Sequence, residues 1–268
     1  MVGMTNDEDD YMEIITVACL YDNYAYLIVN ERSAEAAVVD VPEAWPVMRE
    51  LSERGLKLTT VLCTHHHSDH IGGLDELLDE YGQLRIVGFH GDTRRIPQLN
   101  ELLRDEDRFE VCGYHGLLLH TPGHTSTSVV FHVEDHLFVG DTLFGAGCGR
   151  LFEGTPEQMV GSLDRIIACS PDSRIYFGHE YTELNLRFAA EVDPTNSSIT
   201  ERRERVAELR AEGLPSAPST LAEELATNPF LRIEDESVIE QLRTEQRIDG
   251  SDRVAVFAAL REKRNQFS

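Results

Sequence analysis

The sequence predicts an α+β fold in two parts, a strand-rich portion over residues 1–179 and a smaller helical portion over 180–268. Two observations carry this. Before His179, short β-branched runs alternate with segments of helical period; after it, helical signals take over and strand signals vanish. The length of 268 residues suits one large domain or a domain with an appendage, and 41% hydrophobic residues suffice for a packed core.

In chain order, residues 25–30 (AYLIVN) and 36–41 (AAVVDV) read as strands joined by a polar turn. Residues 58–63 (LTTVLC) form a third strand that runs into a histidine-rich block. Leu74, Leu77, Leu78 and Tyr81 fall at i, i+3, i+4 and i+7, which marks one helix face, and Gly82 is placed to stop that helix. Residues 84–89, 116–120, 128–133 and 136–139 read as further strands, the last two joined as a hairpin through Glu134-Asp135. Thr155-Pro156-Glu157-Gln158 combines an N-cap, a first-turn proline and a capping-box glutamine, and Met159, Val160, Leu163, Ile166 and Ile167 supply the buried stripe of the helix that follows. Residues 174–177 form a last strand. Beyond His179, a Pro/Ser/Ala loop at 214–219 separates two helical stretches, the second opened by a capping box at Thr220-Leu221-Ala222-Glu223. Ligand sites favour such boundaries between units, so the helical part is expected to supply one wall of a pocket.

Composition excludes several function classes. The net charge is -24, from 48 acidic and 24 basic residues, which disfavours nucleic-acid binding because phosphate contacts need a basic surface. Only Lys57 and Lys263 are lysines, and this acidic, lysine-poor balance points to a salt-rich cytoplasm, where a Debye length of roughly 3 Å at about 1 M salt screens self-repulsion. No run of about 18 apolar residues exists to span a membrane. Residues Met1 to Asp10 lack the basic-then-apolar pattern of a signal peptide. Cys19, Cys63, Cys112, Cys148 and Cys169 are odd in number and form no CxxC, as expected of reduced thiols. A monomer is the default expectation.

The chemistry sits in Thr64-His65-His66-His67-Ser68-Asp69-His70, followed by Ile71-Gly72-Gly73, with His124, Asp141 and His179 downstream. Imidazole and carboxylate ligands suit zinc, iron or manganese. In an extended His-x-His stretch alternate side chains point the same way, so His65 and His67 can share one metal while His66 points elsewhere. Asp69 and His70 follow a turn and can reach a second metal. His124 would complete the first set and His179 the second, and Asp141 has two oxygens with which to bridge. Two metals about 3.5–4 Å apart lower the pKa of a shared water, which suits hydrolysis of an ester, thioester, lactam or phosphoester without a serine or cysteine nucleophile. An isolated histidine is more simply a packing or surface residue, and that reading covers His66, His90, His115, His120, His132 and His136. Cys63 and Cys148 are read as serving packing or loop structure.

These motifs resemble the metallo-β-lactamase superfamily, whose signature is T-H-x-H-x-D-H. The resemblance narrows to glyoxalase II, the hydroxyacylglutathione hydrolases, through Tyr21-Asp22-Asn23-Tyr24, Gly140-Asp141-Thr142-Leu143-Phe144, Ala146-Gly147-Cys148-Gly149-Arg150, Phe152-Glu153-Gly154-Thr155 and Gly178-His179-Glu180-Tyr181-Thr182. In the helical part it rests on Pro218-Ser219-Thr220-Leu221-Ala222-Glu223-Glu224 and Asn228-Pro229-Phe230. The resemblance implies an αββα sandwich with a C-terminal helical domain, and hydrolysis of S-D-lactoylglutathione to D-lactate and glutathione in methylglyoxal detoxification. It implies two divalent ions, with zinc the first expectation. His65, His67 and His124 would hold one, Asp69, His70 and His179 the other, and Asp141 would bridge. Asp69 would also orient the attacking hydroxide. By the same resemblance Arg150, Phe152, Tyr181, Arg261 and Arg264 would bind the thiol moiety. Arg264 stands where a lysine is common, and an arginine retains carboxylate binding there.

Three competing readings remain at the sequence level. One is an iron-dependent persulfide dioxygenase using a single metal. A second is a thioesterase for another small thiol such as γ-glutamylcysteine. The third is a metal-binding protein without catalysis, against which the open positions left by seven ligands on two metals count.

Overall fold

A computed structural model describes residues 12–268, so the acidic stretch Met1 to Asp10 lies outside the described residues. The first sheet has six strands in the order β1 (Met12–Cys19), β2 (Asn23–Asn30), β3 (Glu35–Val39), β4 (Lys57–Leu62), β5 (Arg85–Phe89) and β6 (Glu101–Leu103). Antiparallel pairing from β1 to β3 gives way to parallel pairing from β3 to β6. Three helices interrupt it: α1 (Ala44–Arg54), α2 (Ser68–Ile71) and α3 (Leu74–Tyr81).

The second sheet contains β7 (Arg108–Val111), β8 (Tyr114–His120), β9 (Val129–Val133) and β10 (His136–Gly140), then β13 (Arg174–Phe177) and β14 (Ser219–Thr220). A small hairpin of β11 (Leu143–Phe144) and β12 (Gly147–Cys148) follows β10, and α4 (Pro156–Ile167) precedes β13. The helical part consists of α5 (Thr182–Val192), α6 (Ser197–Ala211), α7 (Leu221–Thr227), α8 (Glu236–Thr244) and α9 (Arg253–Gln266).

The period-2 alternation of strand side chains sorts residues between two cores. On β2, Ala25, Leu27 and Val29 join Val47 and Leu51 of α1 and Leu74 and Leu77 of α3. Tyr24, Tyr26 and Ile28 of the same strand join Phe131 and Phe138 of the second sheet. Met159 and Leu163 of α4 and Phe257 and Leu260 of α9 belong to that second core. The layers are therefore helix, sheet, sheet, helix, the αββα sandwich, with helices appended. β2 is buried along its whole length, which explains its unbroken apolar run.

The strand and helix readings hold to within a few residues, and Arg174–Phe177 to the residue. Gly82 stops α3 at φ 72. The Thr155 capping box is complete, with Thr155 N–H donating to Gln158 Oε1 at 3.0 Å and Gln158 N–H to Thr155 Oγ1 at 3.3 Å. Two readings need correction. Strand structure does not end at His179, because Ser219–Thr220 pairs antiparallel with β13; two residues are too few to show a period. At Thr220 only half the box forms: Glu223 N–H donates to Thr220 Oγ1, while the Glu223 carboxylate pairs with Arg202 and Arg205.

Candidate metal centre and substrate cleft

The predicted ligands come from four chain segments that meet at one edge. β8, β10 and β13 run in the same direction, so the loops after their C-terminal ends carry His124, Asp141 and His179 to that edge. β4 of the facing sheet delivers Thr64 to His67, and the short α2 turns Asp69 and His70 inward. The two sheets are stitched there by Val129 N–H to Thr64 O at 3.0 Å and Tyr24 N–H to Gly178 O at 2.9 Å. Two glycines make the approach possible. A Cβ on Gly178 would lie 2.5 Å from Asp141 Oδ1, and Gly140 adopts φ 49 with its missing Cβ 2.5 Å from Thr64 Oγ1.

The ligand atoms fall into two sets. His67 Nδ1 lies 3.1 Å from His65 Nε2 and 3.0 Å from His124 Nε2. His179 Nε2 lies 3.3 Å from His70 Nε2 and 3.4 Å from Asp69 Oδ2. Asp141 reaches both sets: Oδ2 is 3.3 Å from His124 Nε2 and 3.5 Å from His179 Nε2, and Oδ1 is 3.2 Å from His70 Nε2. His66 points away, toward Asp92 and Glu153. His120 stacks on Phe89 and His136 on Tyr176, as packing residues do.

Partners of the opposite ring nitrogens decide which lone pairs face inward. His124 Nδ1 donates to Arg150 O at 2.9 Å, His179 Nδ1 to Asp22 at 2.9 Å and His70 Nδ1 to Asp40 at 2.7 Å. Thr64 gives its hydroxyl proton to Asp40 at 2.7 Å and so accepts from His65 Nδ1 at 3.0 Å. Carbonyls and carboxylates only accept, so in their neutral form these rings carry the proton on Nδ1 and leave Nε2 free to take up a metal or a second proton. His65 Nε2 and His124 Nε2 then turn their lone pairs toward His67 Nδ1 at 3.1 and 3.0 Å, an arrangement suited to a cation. Asp141 Oδ1 is buried and makes no hydrogen bond among the described residues. The donor set therefore fits two divalent ions.

The electrostatics agree. Burial opposes charge on His179, yet Asp141 and Asp69 lift it to about 10. Burial likewise opposes charge on His70, which Asp141 and Asp40 drive well above the usual range. Asp141 is held well below the carboxylate range by His70 and His179 despite its burial. The site demands positive charge among its carboxylates, from protons or from metal. Asp22 and Asp40 were not singled out as site residues from the sequence. Asp22 lies in a motif quoted above, whereas nothing local marks Asp40.

A cleft of about 650 Å³ opens from this centre toward the helical part, and all of Arg150, Phe152, Tyr181, Arg261 and Arg264 line it. Phe152 stands edge-on to His67 and His124, with centroids at 5.6 and 5.3 Å, and Tyr181 stacks on His179 at 4.8 Å. Arg261 is buried, donating to Cys148 O at 2.7 Å and lying 5.2 Å from the Phe230 ring centroid. Arg264 donates to Asn185 Oδ1 at 3.1 Å, and burial together with Arg261 and Arg150 pulls its guanidinium down to about 10. Among the described residues, no carboxylate pairs with any of these three arginines, whereas Arg54, Arg85, Arg95, Arg165, Arg202 and Arg232 all have one. All five cysteines are free, and Cys148 lines the cleft as well as packing beneath it.

Fold and site together define a member of the metallo-β-lactamase superfamily, and the model of that superfamily matches residues 21–179. Similar solved structures include ETHE1 from Myxococcus xanthus (TM-score 0.63, 24% identity, 96% of this chain and 100% of that one). They also include the BLEG-1 B3 metallo-β-lactamase (TM-score 0.61, 21% identity, 82% and 99%). At these identities the likeness concerns the fold. The model for the hydroxyacylglutathione hydrolase C-terminus matches residues 180–267. Curated hydroxyacylglutathione hydrolases of Methylobacillus flagellatus and Methylococcus capsulatus are 44% and 45% identical, over 95% and 96% of this chain and 99% of each relative. The chain belongs to the hydroxyacylglutathione hydrolase family and is a metal-dependent hydrolase.

Proposed function

We propose that this protein hydrolyses S-D-lactoylglutathione and related 2-hydroxyacyl glutathione thioesters to the hydroxy acid and glutathione. The observation that carries this reading is one cleft joining two sets of metal-ligand atoms to three arginines without carboxylate partners among the described residues, in a chain of net charge -24. Unpaired guanidiniums are costly beside a buried wall unless an anionic substrate completes them, and glutathione brings two carboxylates.

His65, His67 and His124 would hold one divalent ion and Asp69, His70 and His179 the other, with Asp141 shared. Zinc suits the donor set, and iron and manganese are accommodated by it. When bound, such ions acidify water and polarise a carbonyl oxygen. Asp69, whose side chain is 42% exposed, is the carboxylate free to orient the attacking water, and Asn23 steadies it by donating to its main-chain carbonyl at 2.9 Å. Arg150, Arg261 and Arg264 would grip the peptide carboxylates, and Phe152 and Tyr181 would flank the thioester beside the metal ligands. The helical residues 180–268 act in this reading as a substrate-binding domain.

The acidic, lysine-poor composition supports a salt-rich cytoplasm as the setting, and no helix among the described residues is long and apolar enough to cross a membrane. The melting temperature should rise as KCl goes from about 0.1 to about 1 M, because screening relieves self-repulsion.

The decisive test is thioester loss with metal-analysed protein in high salt, comparing S-D-lactoylglutathione with the matching γ-glutamylcysteine thioester. Rapid loss of the glutathione ester, abolished by chelation, supports the reading. Preference for the γ-glutamylcysteine ester changes the physiological thiol. No hydrolysis of either, with one iron per chain and oxygen uptake on a persulfide, overturns it.

A further inference from the structure

The hairpin of β11 and β12 follows Asp141 in the chain and lines the cleft through Phe144 and Cys148, and Arg261 and Arg264 of α9 both take their bearings from it. Arg261 donates directly to Cys148 O at 2.7 Å. Arg264 donates to Asn185 Oδ1 at 3.1 Å, and Asn185 Nδ2 donates in turn to Gly145 O at 3.0 Å.

The hairpin is not held by its own sequence. Ala146 adopts a left-handed conformation with φ 54, where glycine is usual, so the turn needs outside support. That support comes from α7 and the residue after it. The Glu224 carboxylate, wholly buried, accepts from Ala146 N–H at 2.8 Å and from Asn228 Nδ2 at 3.0 Å. Asn228 Nδ2 also donates to Gly147 O at 3.0 Å and Phe144 O at 3.3 Å. Its Oδ1 accepts from Phe230 N–H at 3.1 Å, placing the ring over which Arg261 lies. Arg202, buried with Glu224, neutralises the carboxylate through a contact of 2.5 Å.

We infer that Glu224 and Asn228 are positioning residues for anion recognition: they hold the 143–148 hairpin and the Phe230 ring so that Arg261 and Arg264 meet the substrate's carboxylates. The inference rests on the proposed hydrolase reading for the identity of the anion. It concerns the placement of the arginines and leaves the metal centre unaltered.

The test is a double-mutant cycle between Asn228→Ala and Arg261→Ala, read on the glutathione thioester with metal content measured in each variant. Asn228→Ala should raise KM on the order of 10- to 100-fold while kcat and metal content stay near the parent's. In the Arg261→Ala background the same change should add little, because the group it positions is gone. Additive effects on KM, or loss of metal and kcat at unchanged KM, would overturn the inference. Should Asn228→Ala not fold, the cycle between Asn185→Ala and Arg264→Ala decides on the same criteria. A crystal structure of the Asn228→Ala protein, or of Asn185→Ala in that case, separates this inference from the function itself. An arginine displaced from its hairpin contact supports it even if no thioester is turned over, and an unmoved guanidinium overturns it.

Discussion

The two walls of the cleft solve opposite electrostatic problems. On the strand side, five imidazoles and two carboxylates crowd together, and Asp22, Asp40, Thr64 and the Arg150 carbonyl orient four of the imidazoles. On the helical side, the guanidiniums of buried Arg261 and half-buried Arg264 are held by uncharged groups, the Cys148 carbonyl and the Asn185 amide. The first wall is rich in negative charge and suited to cations. The second keeps its positive charge without a carboxylate partner among the described residues and is suited to anions. In the proposed reading the metal ligands stand on the first wall and Arg261 and Arg264 on the second, so disruption of the two should have different kinetic signatures.

The sharpest break is at Asp141, the carboxylate common to both ligand sets. Asp141→Asn should lower kcat beyond the roughly 10–100-fold typical of changes one shell further out. Metal analysis should show one of the two ions weakened, and near-parent kcat with two ions bound would remove Asp141 from the centre. Asp40→Ala tests that outer shell: loss of the His70 Nδ1 partner should cost roughly 10–100-fold in metal affinity or kcat. Unchanged metal titration would show that His70 needs no orienting carboxylate. On the other wall, Arg264→Ala should remove a charge-assisted contact of about 1.5–3 kcal/mol, raising KM tenfold or more with kcat retained. A fall in kcat at constant KM would erase the division of labour.

The smallest effect lies at the rim, where Glu153 accepts from Ser126 and pairs with Arg95, bracing the loop that carries Arg150 and Phe152. Although burial opposes its ionisation, these partners hold the Glu153 carboxyl at about 2 instead of 4.5. A depressed carboxyl stabilises the fold above its unfolded value and loses that contribution as protons bind. Glu153→Gln should therefore cost at most about 1 kcal/mol at neutral pH, given solvent screening. The gap to the parent should close as pH falls from 4.5 toward 2 in urea titrations. A gap that persists to low pH would show that Glu153 acts through packing.

The structure brings together all seven candidate metal ligands, with His65 and His67 side by side on extended backbone and Asp69 and His70 turned inward by α2. β1 and α1 were not read from the sequence. Pro46 within the first turn and an exposed Trp45 obscure the Val47 and Leu51 stripe of α1. β11 and β12 are too short to show any period.

Sequence alone established the residue types, their spacing, most strand and helix positions and the family motifs, since ligand chemistry and hydrophobic period are local properties, and the αββα sandwich was implied by the family resemblance those motifs carry. Tertiary structure alone decided which ring nitrogens face the centre, because Asp22 and Asp40 stand 157 and 30 positions from the histidines they orient. It also decided that Glu224 and Asn228 reach a hairpin about 80 residues earlier, with Asn228 bonded across 84 positions to Phe144. Such contacts depend on how two sheets and a helical appendage pack, and no local pattern encodes a partner that distant.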